Sequence, residues 1–162
     1  MELVLTRIDS RLIHGQVATS WVKATKPSAI FAVNDDVAND ELRKTLLLQV
    51  APVDVKAFVI PVDKAIAVYK NPKYATTKVM LLVTNPGDIV RLIEGGVDIK
   101  TVNVGGMTYR DGDKLISKAV AINKDDLEAF KKLRDLGVEL EIRQLATATK
   151  EDLAPKLDSI VF

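Results

Sequence analysis

The single histidine of the chain, His14, lies in a short segment rich in residue types that bind or transfer phosphoryl groups. The segment covers residues 7–16 and reads RIDSRLIHGQ, so Arg7, Asp9 and Arg11 all precede the histidine closely. A neutral imidazole nitrogen is a nucleophile near physiological pH, and guanidinium groups match the geometry of phosphate oxygens. The segment therefore predicts a phosphoryl-accepting histidine at the centre of a functional site.

A helix is predicted to begin near Gly15, directly after the histidine. The first N–H groups of a helix are unpaired and carry a partial positive charge, which favours a neutral imidazole and binds phosphate oxygens. We expect Arg7, Arg11, Gly15 and Gln16 to bind the phosphoryl group, and Gly15 also leaves room for an approaching partner. Asp9 could accept a hydrogen bond from the second ring nitrogen and so select the tautomer. A backbone carbonyl could do so equally well.

The energy available at such a terminus indicates what kind of reaction the segment suits. A helix N-terminus contributes about 0.3–1 kcal/mol, which is too little to drive difficult chemistry alone. Transfer between two activated phosphoryl donors mainly requires positioning and charge compensation. Two other interpretations are open. The charged residues could form a surface ion-pair cluster worth about 1 kcal/mol or less, or the helix terminus could bind an anion or a regulatory partner with no nucleophile involved.

A second glycine-containing loop follows the fifth predicted strand, at residues 103–112 with the sequence NVGGMTYRDG. In open parallel sheets the ligand site lies beyond the carboxyl ends of the strands, so this loop should reach the same edge as the histidine segment. Paired glycines allow close backbone approach. We expect Gly105, Gly106 and Met107 to form a pocket wall, although a tight glycine turn before a hairpin would look the same in sequence.

The elements that position these loops alternate between short apolar runs and helical patterns along the whole chain. Several runs are continuously aliphatic, as in strands covered by helices on both faces. The sequence predicts an α/β fold: one domain, residues 1–162, with a doubly wound, mostly parallel sheet of about seven strands and helices on both faces. The predicted strands cover residues 3–6, 29–33, 56–60, 79–83, 101–104, 118–122 and 139–143.

Helices are predicted between these strands from their end signals. Asn39 or Asp40 can cap a helix that runs to about Val50, and further helices begin near residues 15, 62, 86 and 125. The last segment, residues 150–157, is predicted as a short helix interrupted at Pro155. The C-terminus should then pack loosely or end in an added strand over residues 159–162.

Composition excludes several functional classes. The net charge is +1, which does not favour a nucleic-acid partner. With no cysteine and one histidine, no metal site is expected. Neither a phosphate-binding loop motif nor a dinucleotide-binding motif is present, and we expect no cofactor. The N-terminus is charged too early for a signal peptide and no apolar run could span a membrane, so a cytoplasmic location is expected.

The segment from Arg7 to Val17 resembles the signature of a known family, the IIB components of the mannose, fructose and sorbose class of sugar phosphotransferase systems. The resemblance extends over essentially all 162 residues and includes the loop around Gly105 and Gly106. Other classes of these systems use a cysteine on their IIB proteins, and its absence here agrees with the histidine class.

This resemblance implies a phosphotransferase that works as a shuttle. The histidine matching His14 would accept a phosphoryl group on Nδ1 from a phosphohistidine of the IIA component. It would pass the group to a sugar held by the membrane components IIC and IID. Arg11 matches the arginine expected to contact the phosphoryl group, and Asp9 matches the loop carboxylate.

The resemblance also implies a cytoplasmic protein peripherally associated with its membrane transporter, and we expect IIA to be a separate protein. Mannose, fructose, sorbose, N-acetylgalactosamine and galactosamine are all open as the sugar, and a homo-oligomer is possible.

Overall fold

A seven-stranded sheet dominates the computed structural model, which describes every residue from Met1 to Phe162. In chain order the strands are β1 (Glu2–Asp9), β2 (Ala29–Val33), β3 (Lys56–Ile60), β4 (Lys78–Val83), β5 (Thr101–Gly106), β6 (Lys114–Ser117), β7 (Val120–Ile122), β8 (Glu139–Ile142) and β9 (Glu151–Asp152). The main sheet has the order β3-β2-β4-β1-β5-β8-β9. Within this main sheet, only the edge pair β8–β9 is antiparallel. β1 is therefore the central strand.

Six α-helices connect or flank these strands. They are α1 (Val22–Thr25), α2 (Asp35–Ala38), α3 (Glu41–Gln49), α4 (Val62–Lys70), α5 (Pro86–Glu94) and α6 (Lys124–Asp135). A π-helical turn, Val17–Trp21, runs directly into α1. Side chains of Asn34, Asp40, Asn85 and Asn123 accept hydrogen bonds from the first turns of α2, α3, α5 and α6, as N-caps do. None of the helices combines the length and the apolar character that a membrane span requires.

Two apolar clusters lie on opposite faces of the sheet. The larger one has 28 buried residues and includes the inward sides of α4, α5 and α6. The smaller one has 10 buried residues and includes Leu12, Ile13, Val17 and Trp21 from the histidine loop and the helix after it. Burial on both faces explains why β2 and β4 read as continuous apolar runs. The predicted α/β class, mostly parallel sheet and helices on both faces are confirmed.

The structure differs from the prediction in the pairing of one strand and at the C-terminus. Residues 118–122 were expected in the main sheet, but β7 pairs antiparallel with β6 in a separate hairpin. Residues adjacent in sequence pair at a lower loop-closure cost than distant ones, so this short run finds its partner locally. Of the two alternatives for residues 159–162, the added strand does not form, and the seventh strand of the sheet is β9.

The C-terminal helix prediction is also wrong in its position and in the effect of its proline. A 3₁₀ helix spans Ala154–Ser159, and Pro155 lies in its first turn. A proline in the first turn lacks only an N–H group that would be unpaired there in any case, so Pro155 starts this helix instead of interrupting it.

Candidate functional site

The histidine loop turns sharply at the carboxyl end of the central strand. Leu12 N–H donates to the Asp9 carbonyl at 2.9 Å, and Leu12 adopts the left-handed conformation with φ of 57°. A β-carbon in this conformation is strained, so the surrounding packing must hold it. Leu12 and Ile13 are buried in the smaller cluster. The burial of these two side chains leaves Arg11 and His14 on the outer side of the loop.

The Asp9 carboxylate holds one nitrogen of the imidazole. Asp9 Oδ2 lies 2.8 Å from His14 Nε2. A carboxylate has no hydrogen to donate, so Nε2 carries a proton, and in the neutral ring Nδ1 presents the lone pair. Nδ1 has no hydrogen-bond partner and is shielded from solvent, while 11% of the His14 side chain is exposed. The geometry thus brings together two residues that the sequence placed five positions apart, with Nδ1 as the unengaged nitrogen.

Asp9 is itself buried, and its carboxylate accepts hydrogen bonds from three donors. Its Oδ1 accepts from the Arg11 backbone N–H at 3.0 Å, and its Oδ2 accepts from Arg7 Nη2 at 3.0 Å as well as from His14. Burial alone would raise the pKa of Asp9. The hydrogen bonds from His14 and from the Arg11 backbone, with the Arg7 charge, outweigh burial and hold this pKa below its usual value. Asp9 is therefore an ionised acceptor at neutral pH.

Arg7 lies on the interior side of the Asp9–His14 pair and not on its solvent side. Its side chain is 0% exposed, and Nη1 and Nη2 together make four hydrogen bonds of 2.7–3.1 Å, one of which is the bond to Asp9. The other acceptors are the Asn103 side chain and the backbone carbonyls of Arg143 and Gln144. Burial lowers the pKa of Arg7 against the opposing effect of Asp9. Arg7, predicted to bind phosphate, is thus engaged within the protein and does not face the outer side of the loop.

Beside the histidine lie the exposed Arg11 side chain and a row of backbone amides without acceptors. The Arg11 side chain is 58% exposed, and its Nε lies 4.0 Å from Asp9 Oδ1. The backbone N–H groups of residues 13–16 donate to no acceptor within the protein. A β-carbon added at Gly15 would meet no atom within 4 Å, so the space beside this residue is open. Gln16 is half-buried, and its side-chain oxygen has no donor.

The glycine loop closes the other side. β1 pairs with β5 through a bulge that skips Gly105, and a Cβ there would lie 2.0 Å from Arg7 Cζ. Gly106 accepts from the Ser10 N–H at 2.9 Å, and Ser10 Oγ accepts from the Thr108 N–H at 3.0 Å. A cavity of about 170 Å³ beside the loop is lined by Asp9, Ser10, Arg11, Gly105, Gly106, Met107, Thr108, Ala119 and Gln144. The three residues predicted as a pocket wall are thus brought together with Asp9 and Arg11.

Sequence reasoning gave no role in the site to several residues that complete its inner side. Trp21 lies with its ring centroid 5.1 Å from Arg7 Cζ and donates through Nε1 to the Gln144 carbonyl at 2.9 Å. Asn103 bonds Arg7 directly. Gln144 acts through its backbone carbonyl, which carries no signal in the residue type. Only the position of Asn103 beside the glycine pair could have indicated it. No group of three or more acidic, histidine or cysteine residues is placed to hold a metal ion.

Comparisons with known proteins agree with one another. The model of the family described as PTS system sorbose subfamily IIB component matches residues 3–160. The chain is 48% identical to the PTS system fructose-specific EIIB component of Bacillus subtilis, covering 99% of this chain and 98% of that protein. It is 55% identical to the PTS system mannose-specific EIIAB component of Escherichia coli K12, covering 98% of this chain but 50% of that protein. This chain therefore spans about half the length of the mannose-specific relatives that it matches.

Among solved structures, the IIBSor domain of the sorbose permease from Klebsiella pneumoniae has a TM-score of 0.95 and 44% identity. The match covers 100% of this chain and 99% of that one. By fold and site, the protein is an open α/β domain with a carboxylate–histidine pair at the carboxyl edge of its sheet. The chain belongs to the sorbose subfamily of the IIB components of sugar phosphotransferase systems.

Proposed function

We propose that this chain is the phosphocarrier of its sugar phosphotransferase system and that His14 Nδ1 carries the phosphoryl group. The single observation that supports this assignment most directly is the 2.8 Å contact between Asp9 Oδ2 and Nε2, together with the unpartnered Nδ1. The donor is the phosphohistidine of a IIA component. The acceptor is a hydroxyl group of a sugar bound by the membrane components IIC and IID.

The transfer is a pair of displacements at phosphorus. In the first, the Nδ1 lone pair of His14 forms a bond to phosphorus while the P–N bond of the donor phosphohistidine breaks, and the bonding electrons return to the donor ring. The His14 ring then carries positive charge, which the Asp9 carboxylate compensates through Nε2–H. In the second, a sugar hydroxyl oxygen bonds to phosphorus, the P–Nδ1 bond breaks, and the hydroxyl proton passes to a base at the acceptor site. His14 returns to its neutral state.

The phosphoryl oxygens need compensation on the outer side of the loop. Arg11, with its exposed guanidinium, and the unpaired N–H groups of residues 13–16 supply it. Arg7 contributes differently from the expectation based on sequence, because it orients Asp9 from behind the pair. Nδ1 is shielded from solvent, so the docking of a partner protein must expose this atom before transfer.

Family membership supports a proposal for the partners and the location. We place the chain in the cytoplasm, in peripheral contact with its membrane transporter, and IIA and IIC/IID meet it in turn. Relatives carry names with mannose, fructose, sorbose and N-acetylgalactosamine. All of these sugars, and galactosamine, fit a carrier that holds the phosphoryl group and not the sugar.

Incubation with a phosphorylated IIA protein of this class tests the proposal. We expect one phosphoryl group per chain, acid-labile and base-stable, located on His14 Nδ1 by ³¹P NMR. His14→Ala should abolish the modification. Thr19→Ala, an exposed position one turn later in the helix, should retain it.

The opposite result identifies a binding module. A folded protein that stays unmodified in the presence of active donor, and that binds inorganic phosphate equally well as wild type and as His14→Ala, is an anion-binding module. That outcome refutes the carrier.

A further inference from the structure

A second layer of polar side chains lies behind Arg7, on the side away from His14. Asn103 on β5 is 1% exposed and lies between Arg7 and Glu141, and Glu141 is also buried. We infer that Asn103 is a positioning residue for phosphoryl transfer, acting through Arg7 and Asp9 on His14. This inference rests on the proposed carrier function, and it assigns a role to a residue that touches neither the phosphoryl group nor the histidine.

The amide of Asn103 has only one orientation that satisfies its neighbours. Its Oδ1 accepts from Arg7 Nη1 at 2.7 Å, and its Nδ2 donates to Glu141 Oε1 at 3.3 Å and to the Arg143 carbonyl at 3.1 Å. A guanidinium offers donors only, so the reversed amide would place N–H groups against N–H groups. The side chain is therefore locked, and its bond to Arg7 is the shortest one that Arg7 makes.

Charge explains why an amide is needed at this position. Two buried or partly buried ion pairs lie close together, Arg7 with Asp9 at 3.0 Å and Arg143 with Glu141 at 3.1 Å. Asn103 separates them, being neutral and able to bond to both. Without its oxygen, Arg7 Nη1 would keep only the Arg143 carbonyl as an acceptor, and Glu141 would be a competing carboxylate for the Arg7 guanidinium. Asn103 thus keeps Arg7 directed at Asp9.

This orientation reaches the reacting ring through one oxygen. Asp9 Oδ2 accepts both from Arg7 Nη2 and from His14 Nε2. When Arg7 moves toward Glu141, this oxygen loses one of its two donors, and only the Arg11 backbone N–H and the imidazole then fix the orientation of the carboxylate. A hydrogen bond to a charged group, removed in this way, corresponds to a rate effect of about 10- to 150-fold if the lost energy acts in the transition state.

Two variants and a control separate positioning from stability. Asn103→Ala removes all three side-chain hydrogen bonds of Asn103. Asn103→Asp keeps an acceptor for Arg7 but loses the donor to Glu141 and adds a second carboxylate. Thr101→Ala is the control, since Thr101 is an exposed residue of β5 two positions away, on the same face of the strand. The measurements are the unfolding midpoint, the transfer rate from phosphorylated IIA at saturation, the half-saturating IIA concentration, and the His14 Nε2–H proton signal in the unphosphorylated protein.

We expect Asn103→Ala to lower the saturating rate by about 10- to 150-fold, with the half-saturating concentration within about twofold of wild type and the Nε2–H signal broadened by exchange. Asn103→Asp should stay within about threefold of the wild-type rate although its unfolding midpoint falls. The rate depends on the oxygen that accepts from Arg7, which the variant keeps, and the stability depends on the N–H group that donates to Glu141, which it loses. Thr101→Ala should match wild type in every measurement.

Three results overturn the inference: a folded Asn103→Ala with the wild-type rate and Nε2–H signal, an Asn103→Asp as slow as Asn103→Ala, or both variants unfolded. Failure of the carrier proposal is a different observation, namely wild-type protein that is never phosphorylated. In that case the Nε2–H signal still reports whether Asn103 positions the Asp9–His14 pair.

Discussion

Gly105→Ala should displace the buried Arg7 side chain and so disturb the site, although the new methyl group contacts no residue that faces the phosphoryl group. A Cβ at this position lies 2.0 Å from both Cζ and Nη2 of Arg7, whereas ordinary contacts begin near 3.4 Å. The guanidinium must therefore move by about 1.4 Å, the difference between these distances. The guanidinium makes four hydrogen bonds of 2.7–3.1 Å, and a shift of that size takes some of them beyond hydrogen-bond distance.

The expected loss of stability follows from the burial of the ion pair. Separating a fully buried charge from its partner costs about 3–5 kcal/mol. For a domain of this size, each kcal/mol lowers the midpoint of thermal unfolding by roughly 2–4 °C, so the total fall is roughly 6–20 °C. Because Asp9 loses the same contact, we also expect slower phosphoryl transfer by the folded fraction.

Gly106→Ala is the matched control, one residue further along the same loop. A Cβ there lies 3.7 Å from Asp9 Oδ1, which is an ordinary contact. Neither glycine has a positive φ, so backbone strain does not distinguish the two substitutions. Urea unfolding and transfer from phosphorylated IIA are measured for both variants. Equal stability and equal transfer rates for the two alanine variants would refute the close packing of Arg7 against Gly105 and, with it, the role of Arg7 as a support for Asp9.

The remaining predictions concern the outer and inner charges of the loop. Arg11→Ala should slow transfer by about 10- to 100-fold yet change the free energy of unfolding by less than about 0.5 kcal/mol, because this side chain is largely exposed. Unfolding curves and transfer rates test this prediction. A destabilised variant with an unchanged transfer rate would show that Arg11 has a structural role. Asp9→Asn should cost about 3–5 kcal/mol at neutral pH by leaving Arg7 unpaired. Since the pKa of Asp9 is lowered in the folded state, its carboxylate stabilises the protein above its ordinary pKa of 3.8, and this stabilisation is lost as pH falls through the folded value. The difference in unfolding free energy between wild type and Asp9→Asn should therefore be constant above about pH 5 and shrink below pH 4; a difference that grows on acidification would contradict the ionised state of Asp9.

Much of the fold could be predicted from local sequence. The continuous aliphatic runs of β2 and β4 indicate strands covered on both faces, and Asp40 and Asn123 cap the helices that follow them. The sequence could not show that β7 pairs in a hairpin with β6 and not in the main sheet, because a three-residue apolar run has the same pattern in both settings. The edge strand β9 has only two residues, both exposed, and so carries no apolar signal.

Residue types by themselves determined that His14 and its charged neighbours form a candidate phosphoryl site, since one histidine with two arginines and an aspartate leaves few other chemistries open. The structure extends β1 to Asp9, beyond the strand predicted over residues 3–6, and strand alternation then places Arg7 and Asp9 on one face. Only the tertiary structure decided that Arg7 is buried while Arg11 is exposed and that Nδ1 is the unengaged nitrogen. The reason is that these outcomes depend on the left-handed turn at Leu12, the bulge at Gly105 and carbonyl groups near residue 144, which are brought together by packing across the sheet and not by spacing along the chain.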